Sequence, residues 1–327
     1  MNKKKLSGSR ELGIFIALVA ICIVFSVLSP QFLKFKNAFN VLKQTATVAI
    51  CAVGFTFVLI TGGIDLSLGY QVSLDIVVCA YMMKNWNVPW VLAILITLVF
   101  GLFVGTVNGL IIIKTHVAPL IVTLSTQTIL KGISFMITKG LAIFGFEKPF
   151  LKLGQGTLVG DVPVSLIFVI LVLVIGIFIL NKTILGRYFY AIGNNREAAK
   201  LSGVNTDICE MLAYSFCGLF TSLGAILLLS RMNSAQSATG DGYEFNALTG
   251  CVLGGVSAAG GTGTIVGAFI GCLIVGVLDN GLLLLNVNEY LQMVLKGCVL
   301  LAAVVYDTMS HERSERVKRM KAINAEN

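Results

Sequence analysis

The stretch Gln44-Thr-Ala-Thr-Val-Ala-Ile-Cys-Ala-Val-Gly-Phe-Thr-Phe-Val-Leu-Ile-Thr-Gly-Gly-Ile64 runs for 21 residues without a charged side chain. A helix needs about 20 such residues to cross the hydrocarbon core of a bilayer. Residues 12–29, 85–113, 162–180, 211–230 and 245–278 are equally free of charge. Helices carrying one or two charges fit residues 66–83, 117–138 and 289–306, and 245–278 is long enough to break at Gly260-Gly261. The expectation is an all-α polytopic membrane protein with about ten transmembrane helices, some of them broken. A composition of 56% hydrophobic and 12% charged residues over 327 positions rules out a water-soluble globule of this size.

The net charge of +8 sits in the short connections and makes no basic face, so no nucleic-acid partner is expected. Ten spans put both termini on one side. With the N-terminus inside, inner segments collect 14 Lys and Arg against seven in outer loops, while Lys43, Lys131 and Lys296 fall within spans. The positive-inside rule then makes both termini cytoplasmic. A signal-peptide reading of the first run fails for want of a small-x-small cleavage site. One membrane domain follows: an N-tail at 1–11, the membrane domain at 12–306, a cytoplasmic loop at 181–208 and a C-tail at 307–327. The tail's mixed charge fits a solvated helix or a membrane-surface anchor.

Eight cysteines occur singly, without CxxC spacing, and His116 and His311 are the only histidines. They read as packing residues, with no metal site expected. No cluster of His, Asp, Glu or Ser/Lys converges for catalysis. No Gly-Lys dipeptide exists to build a P-loop. The chain is not expected to be an enzyme, to hold a cofactor, or to drive its own transport by ATP hydrolysis.

Gly101, Gly105 and Gly109 in the fourth span repeat the spacing of Gly263, Gly267 and Gly271 in the ninth. Such stripes let helix backbones approach closely in lipid. Gly105-Thr-Val-Asn108-Gly109-Leu also resembles Gly276-Val-Leu-Asp-Asn280-Gly281-Leu, five spans later. Two five-helix halves, an odd number, would enter the membrane in opposite directions and give inverted pseudosymmetry. Asn108 and Asn280 then occupy equivalent places, where a buried amide either glues helices or faces a wet path.

Thr61-Gly62-Gly63-Ile64-Asp65-Leu66-Ser67 interrupts an apolar stretch with the composition of a helix that unwinds and restarts, Asp65 being placed to accept backbone N–H bonds at the restart. Unpaired backbone at such depth must line a cavity or lie within protein. Asp75 and Asp279 are acids within spans, so they are paired, protonated, near an interface or functional. Asp65, Asn108, Gln127, Asp279 and Asn280 are the translocation-pathway candidates, with Ser125 and Thr126 beside Gln127. In the inner loop, residues 196–201 form a short helix stopped by Gly203, either a docking element or a solvated connector.

Glu197-Ala198-Ala199, with Gly203 after it, resembles the EAA loop through which membrane subunits of bacterial ABC importers contact their ATPase. Gly62-Gly-Ile-Asp-Leu-Ser67, Leu185-Gly186-Arg187-Tyr188, Ser234-Ala-Gln236, Gly242-Tyr-Glu244, Leu253-Gly-Gly255 and residues 278–285 are similar to the ribose and monosaccharide permeases of that class. The resemblance spans about residues 26–307. It implies a permease subunit of the bacterial cytoplasmic membrane, with Gly186, Arg187, Glu197, Ala198, Ala199 and Gly203 in the ATPase-coupling loop. It further implies as partners a separate ATPase that binds the ATP, an extracytoplasmic sugar-binding protein, a second permease subunit in a homo- or heterodimer, and membrane lipid. Tyr70-Gln71, Phe245 through Gly250 and Asp279 depart from the pattern and bear on which sugar passes. A gradient-driven secondary transporter using Asp65, Asp75 or Asp279 is the alternative from the residues alone, and a channel or scaffold the next.

Overall fold

The computed structural model describes residues 3–158 and 162–326, with the helix path alone for 3–10 and 310–326. The tail residues beyond 309 therefore lie outside the described side chains. Thirteen helices and one two-stranded ladder make up the described chain. The first half holds α1 (Lys3–Leu28), α2 (Phe35–Ile60), α3 (Leu68–Asn85), α4 (Trp90–Thr115) and α5 (Pro119–Thr138). After β1 (Ile143–Phe144) and the amphipathic α6 (Lys148–Gln155) come α7 (Ser165–Lys182), α8 (Ile184–Asn194), α9 (Arg196–Leu201) and α10 (Thr206–Met232). β2 (Ser234–Ala235), α11 (Tyr243–Leu253), α12 (Ile265–Leu284) and α13 (Glu289–Glu326) complete the chain, and β1 pairs antiparallel with β2.

Among the described residues, eight helices are long and apolar enough to cross a membrane. The other two expected spans are α3 and α11. In α3, Asp75 and Lys84 lower the apolar content, and the helix is sheathed by protein along most of its length. α11 has only 11 residues, about 16 Å at 1.5 Å per residue, half of the ~30 Å hydrocarbon core. It is a half-helix, and its chain leaves helical geometry at Leu253, earlier than the expected break at Gly260-Gly261.

The core centres on α2 and α10, which are largely buried. α4 crosses α10 on its glycine stripe: a Cβ at Gly105 would stand 2.1 Å from the Tyr214 carbonyl oxygen, and one at Gly101 2.7 Å from that of Gly218. α12 lies on α2, where a Cβ at Gly276 would meet Thr45 Oγ1 at 1.9 Å. The pairings exchange with the halves: α4 on α10 and α12 on α2, α3 on α10 and α11 on α2, α5 on α3 and α13 on α11. The Asn-Gly alignment thus matches the packing. The triplet alignment does not, because Gly263 precedes α12, and Gly267 and Gly271 face Gly254, just past the end of α11, and Gly250 within it.

One end of the bundle gathers α8 and α9, the break after α2, the α4–α5 turn and the loop between α11 and α12. There Thr264 Oγ1 donates to Glu11 of α1 at 2.8 Å, and Asp307 of α13 accepts from Ser257 Oγ at 3.0 Å and Ala258 N at 3.1 Å. The membrane ends of the first and last helices therefore share the α9 end.

Gly105→Leu should drive the α4 and α10 backbones apart at a cost of about 3 kcal/mol or more and abolish the monodisperse detergent-purified protein. Gly132→Leu, at an α5 position with no neighbour within 4 Å, should leave it intact. Fluorescence-detected size exclusion after a heating series reads both.

Candidate functional site

Two restarted helices face each other inside the bundle. α2 ends at Ile60, Gly62 takes φ 85° to turn the chain back, and α3 starts at Leu68. Ser67 donates its N–H to Asp65 Oδ1 at 3.0 Å and its hydroxyl to the same oxygen at 2.5 Å. Asp65 therefore closes the restart through an Asx turn, the residue at the helix boundary being Ser67. Its Oδ2 has no hydrogen-bond partner among the described residues and lies beside the Cys217 thiol. Asn108 of α4 donates Nδ2 to Ser67 Oγ at 2.9 Å and accepts from Thr126 Oγ1 of α5 at 2.6 Å. Asp65, Ser67, Asn108 and Thr126 form one chain across three elements, the first three buried and Thr126 half-buried.

The network continues along α5. Thr123 donates to the Ile64 carbonyl at 3.3 Å, and Gln127 Nε2 to Glu244 Oε1 of α11 at 3.0 Å. Farther along, Thr138 and Ser237 hydroxyls meet at 2.5 Å, and Ser237 donates to the Ser134 carbonyl at 3.1 Å. α5 is thus held by a polar stripe at helical spacing, while its other face, including Ser125 and Lys131, is exposed. The α11 start docks on the α3 start: Gly240 N donates to Ser73 Oγ at 2.8 Å. Glu244 fills the space beside Gly69, where a Cβ would meet its Oε2 at 1.8 Å.

The remaining candidates resolve as ties between helices. Asn280 and Asn37 exchange amide hydrogen bonds at 2.8 and 3.0 Å, joining α12 to α2. Of the two expected roles for a buried amide, helix glue fits Asn280, while Asn108 sits in the network at the break. Asp279 is paired with Lys296 of α13 at 2.9 Å, both about one-third exposed. Asp75 accepts from Ser222 Oγ at 2.6 Å, and Gln71 Nε2 donates to the Gly218 carbonyl at 2.9 Å, so both brace the α3–α10 contact.

In the inner loop, Thr183 caps α8 and Asn195 caps α9, accepting from Ala198 N at 2.9 Å. Gly203 takes φ 84° and ends α9, with Val204 N bonded to the Ala199 carbonyl at 3.1 Å. Gly186 is buried: a Cβ there would stand 2.3 Å from the Leu180 carbonyl, so it fixes the corner between α7 and α8. Arg187, Glu197 and Ala198 are exposed, Ala199 is buried, and Leu201 is 89% exposed. α8 rests on both breaks at once. Tyr190 OH donates to the Gly263 carbonyl at 2.8 Å, Asn194 Nδ2 to that of Gly261 at 3.2 Å, and Gly261 N to that of Ile60 at 2.9 Å.

Arg196 ties α9 to the start of α10 through Glu210 at 2.6 Å and Asp207 at 2.9 Å. The hydrogen bond to Glu210 raises the guanidinium above its already high ordinary range, so this clasp stays charged. The residues missed from sequence are partners: Asn37, Glu210, Tyr190 and Asn194. Asn37 lies between Lys36 and Lys43, outside the charge-free run, yet inside α2. Among the described residues no group of three or more His, Cys, Asp or Glu is disposed to hold a metal ion.

Broken helices, halves that exchange by packing and a braced loop at one end describe a multi-pass helical membrane protein. The chain belongs to the family described as the permease component of the branched-chain amino acid transport system, whose model matches residues 37–304. It is 42% identical over 300 residues to the ribose import permease protein RbsC of Bacillus subtilis (strain 168), covering 91% of this chain and 92% of that protein. It is 35% identical over 333 residues to the galactose/methyl galactoside import permease protein MglC of Escherichia coli (strain K12), covering 96% and 99%. A probable ABC transporter permease protein, YphD of the same strain, is 32% identical over 309 residues, covering 94% and 92%. No solved structure is a significant match. The chain is a permease subunit of the ABC-importer type, not an ATPase.

Cutting the Asn37–Asn280 pair should be strongly non-additive. Asn37→Ala and Asn280→Ala should each destabilise, and the double variant should cost less than their sum by about 1 kcal/mol, measured by reversible denaturation in mixed micelles.

Proposed function

We propose that this chain carries a monosaccharide across the bacterial cytoplasmic membrane, powered by a separate ATPase that binds the ATP, the permease itself needing no cofactor. The family's description speaks of branched-chain amino acids, whereas two relatives that cover most of the chain are named as ribose and galactose/methyl galactoside import permeases. Their agreement supports a neutral sugar. Both termini and α9 face the cytoplasm in this reading, from the excess of Lys and Arg on the segments at that end. A second permease subunit completes the pathway, and an extracytoplasmic binding protein delivers the sugar.

The observation that carries the proposal is the seat of α8 on both helix breaks. α9 offers Glu197, Ala198, Lys200 and Leu201, its exposed side chains, to the ATPase. Movement of the ATPase displaces α8, whose contacts with Gly261, Gly263 and, through Gly261, Ile60 shift both restarted helices. The Asp65–Ser67–Asn108–Thr126 chain passes the shift to α5, and Gln127–Glu244 passes it to α11. Polar ties of this kind exchange partners at low cost, which suits a helix that must move between two packed states. Asp65, Asn108 and Gln127 are the residues assigned to the pathway wall. Asp279 and Asn280 act as helix ties.

In cells accumulating labelled monosaccharide, Glu197→Lys and Gly203→Asp should each reduce accumulation at least tenfold with the chain still in the membrane. Uptake should survive a protonophore while ATP is maintained and fail when ATP is depleted. Loss with the protonophore alone would favour the gradient-driven alternative.

A further inference from the structure

A cavity of about 280 Å³ opens at the α9 end, separate from the polar stripe of α5. Its walls come from the break after α2 (Thr61, Gly63), the α4–α5 turn (His116, Ala118), α9 (Arg196) and α10 (Glu210, Tyr214). The size is just below that of ligand pockets, roughly 300–1,000 Å³. Ile112, Val117 and Pro119 supply an apolar side. Against it stand the Arg196–Glu210 ion pair and the Tyr214 hydroxyl. Tyr214 is 2% exposed, and its hydroxyl packs against the Gly63–Ile64 backbone, with no partner among the described residues that meets full hydrogen-bond geometry. A buried phenol in the wall of a cavity, without a full hydrogen bond, is costly unless something hydrogen-bonds to it.

The lining selects among ligands. Arg196 is already matched by Glu210 and Asp207, so carboxylates outnumber the guanidinium and an anion is disfavoured. A neutral polyhydroxylated molecule satisfies both sides, its C–H face on the aliphatic wall and its hydroxyls on Tyr214, Glu210 and Arg196. We infer that this cavity is a binding site for a free monosaccharide entering from the α9 end, and that its occupancy restrains the coupling loop. The choice of a monosaccharide rests on the import reading, which delivers that molecule to this side. A bound sugar would bridge α10 to the α4–α5 turn and hold the Arg196 clasp of α9 in place. Imported sugar would thereby slow its own uptake.

The test uses the permease with its ATPase in lipid nanodiscs, without binding protein. Equilibrium dialysis with labelled D-ribose and D-galactose should show saturable binding in the millimolar range by at least one of them. Tyr214→Phe, which removes only the hydroxyl, and Ala118→Trp, which adds bulk at an exposed lining position, should each weaken it at least tenfold. The corresponding sugar phosphate should bind at least tenfold more weakly than the free sugar. ATP hydrolysis by the unsubstituted complex should fall at least threefold at saturating sugar. No saturable binding, undiminished binding by either variant, or preference for the phosphate overturns the site. Binding without slower hydrolysis overturns the restraint alone. Accumulation in cells tests the import reading separately, so sugar uptake with no binding here would overturn this site and leave that reading standing.

Discussion

Backbone that leaves a helix inside a membrane protein must find its hydrogen bonds within the protein. At the break after α2 this requirement is met by Asp65 and Ser67, and Ser67 in turn needs Asn108, which needs Thr126. Satisfying one interrupted helix therefore recruits two others, α4 and α5. The buried placement of α3, the polar stripe on α5 and the apposition of α11 all follow from keeping this break dry and paired. Glycine makes it geometrically possible, through the turn at Gly62 and the close crossing of α4 on α10.

In the proposed coupling, the same break is where force from outside the membrane enters. α8 touches the carbonyls of Gly261 and Gly263, and Gly261 bonds the last carbonyl of α2. A short loop can thus act on both halves because the two interruptions lie against each other at one end. Apolar packing between α2 and α10 resists distortion, whereas the hydroxyl and amide contacts of α5 can be exchanged. A rigid centre with a movable polar flank is a physical basis for alternation between two states. α1 and α13 leave most of their apolar surface uncovered within the chain, as suits helices that meet lipid or another subunit.

Long charge-free runs made the membrane class and the broken helix at residues 61–67 legible in the sequence, and the Asn-Gly repeat pointed to helices that do pack equivalently. Helix limits were less legible where a lysine lies inside a helix. Lys36 and Lys43 hid the first turns of α2 and with them Asn37, because a long side chain can carry its charge to the interface from within a span. Pairing was not legible at all. Asp279 and Asn280 are neighbours in sequence, yet one pairs with Lys296 and the other with Asn37, and no spacing rule links residues 243 positions apart. α11 read as a full span since composition does not mark where helical geometry ends. Gly263 matched a stripe by spacing while lying outside the helix.

The central claim is that the α8–α9 loop is the seat of an ATPase. Purifying the tagged chain from its native membrane in mild detergent, beside a Leu201→Asp variant, and identifying co-purifying proteins by mass spectrometry tests it most directly. The account predicts a P-loop ATPase recovered with the unsubstituted chain and lost from the variant, with equal recovery of the permease itself. Equal recovery of the ATPase with both chains, or its absence from both under conditions that preserve other membrane complexes, would contradict it.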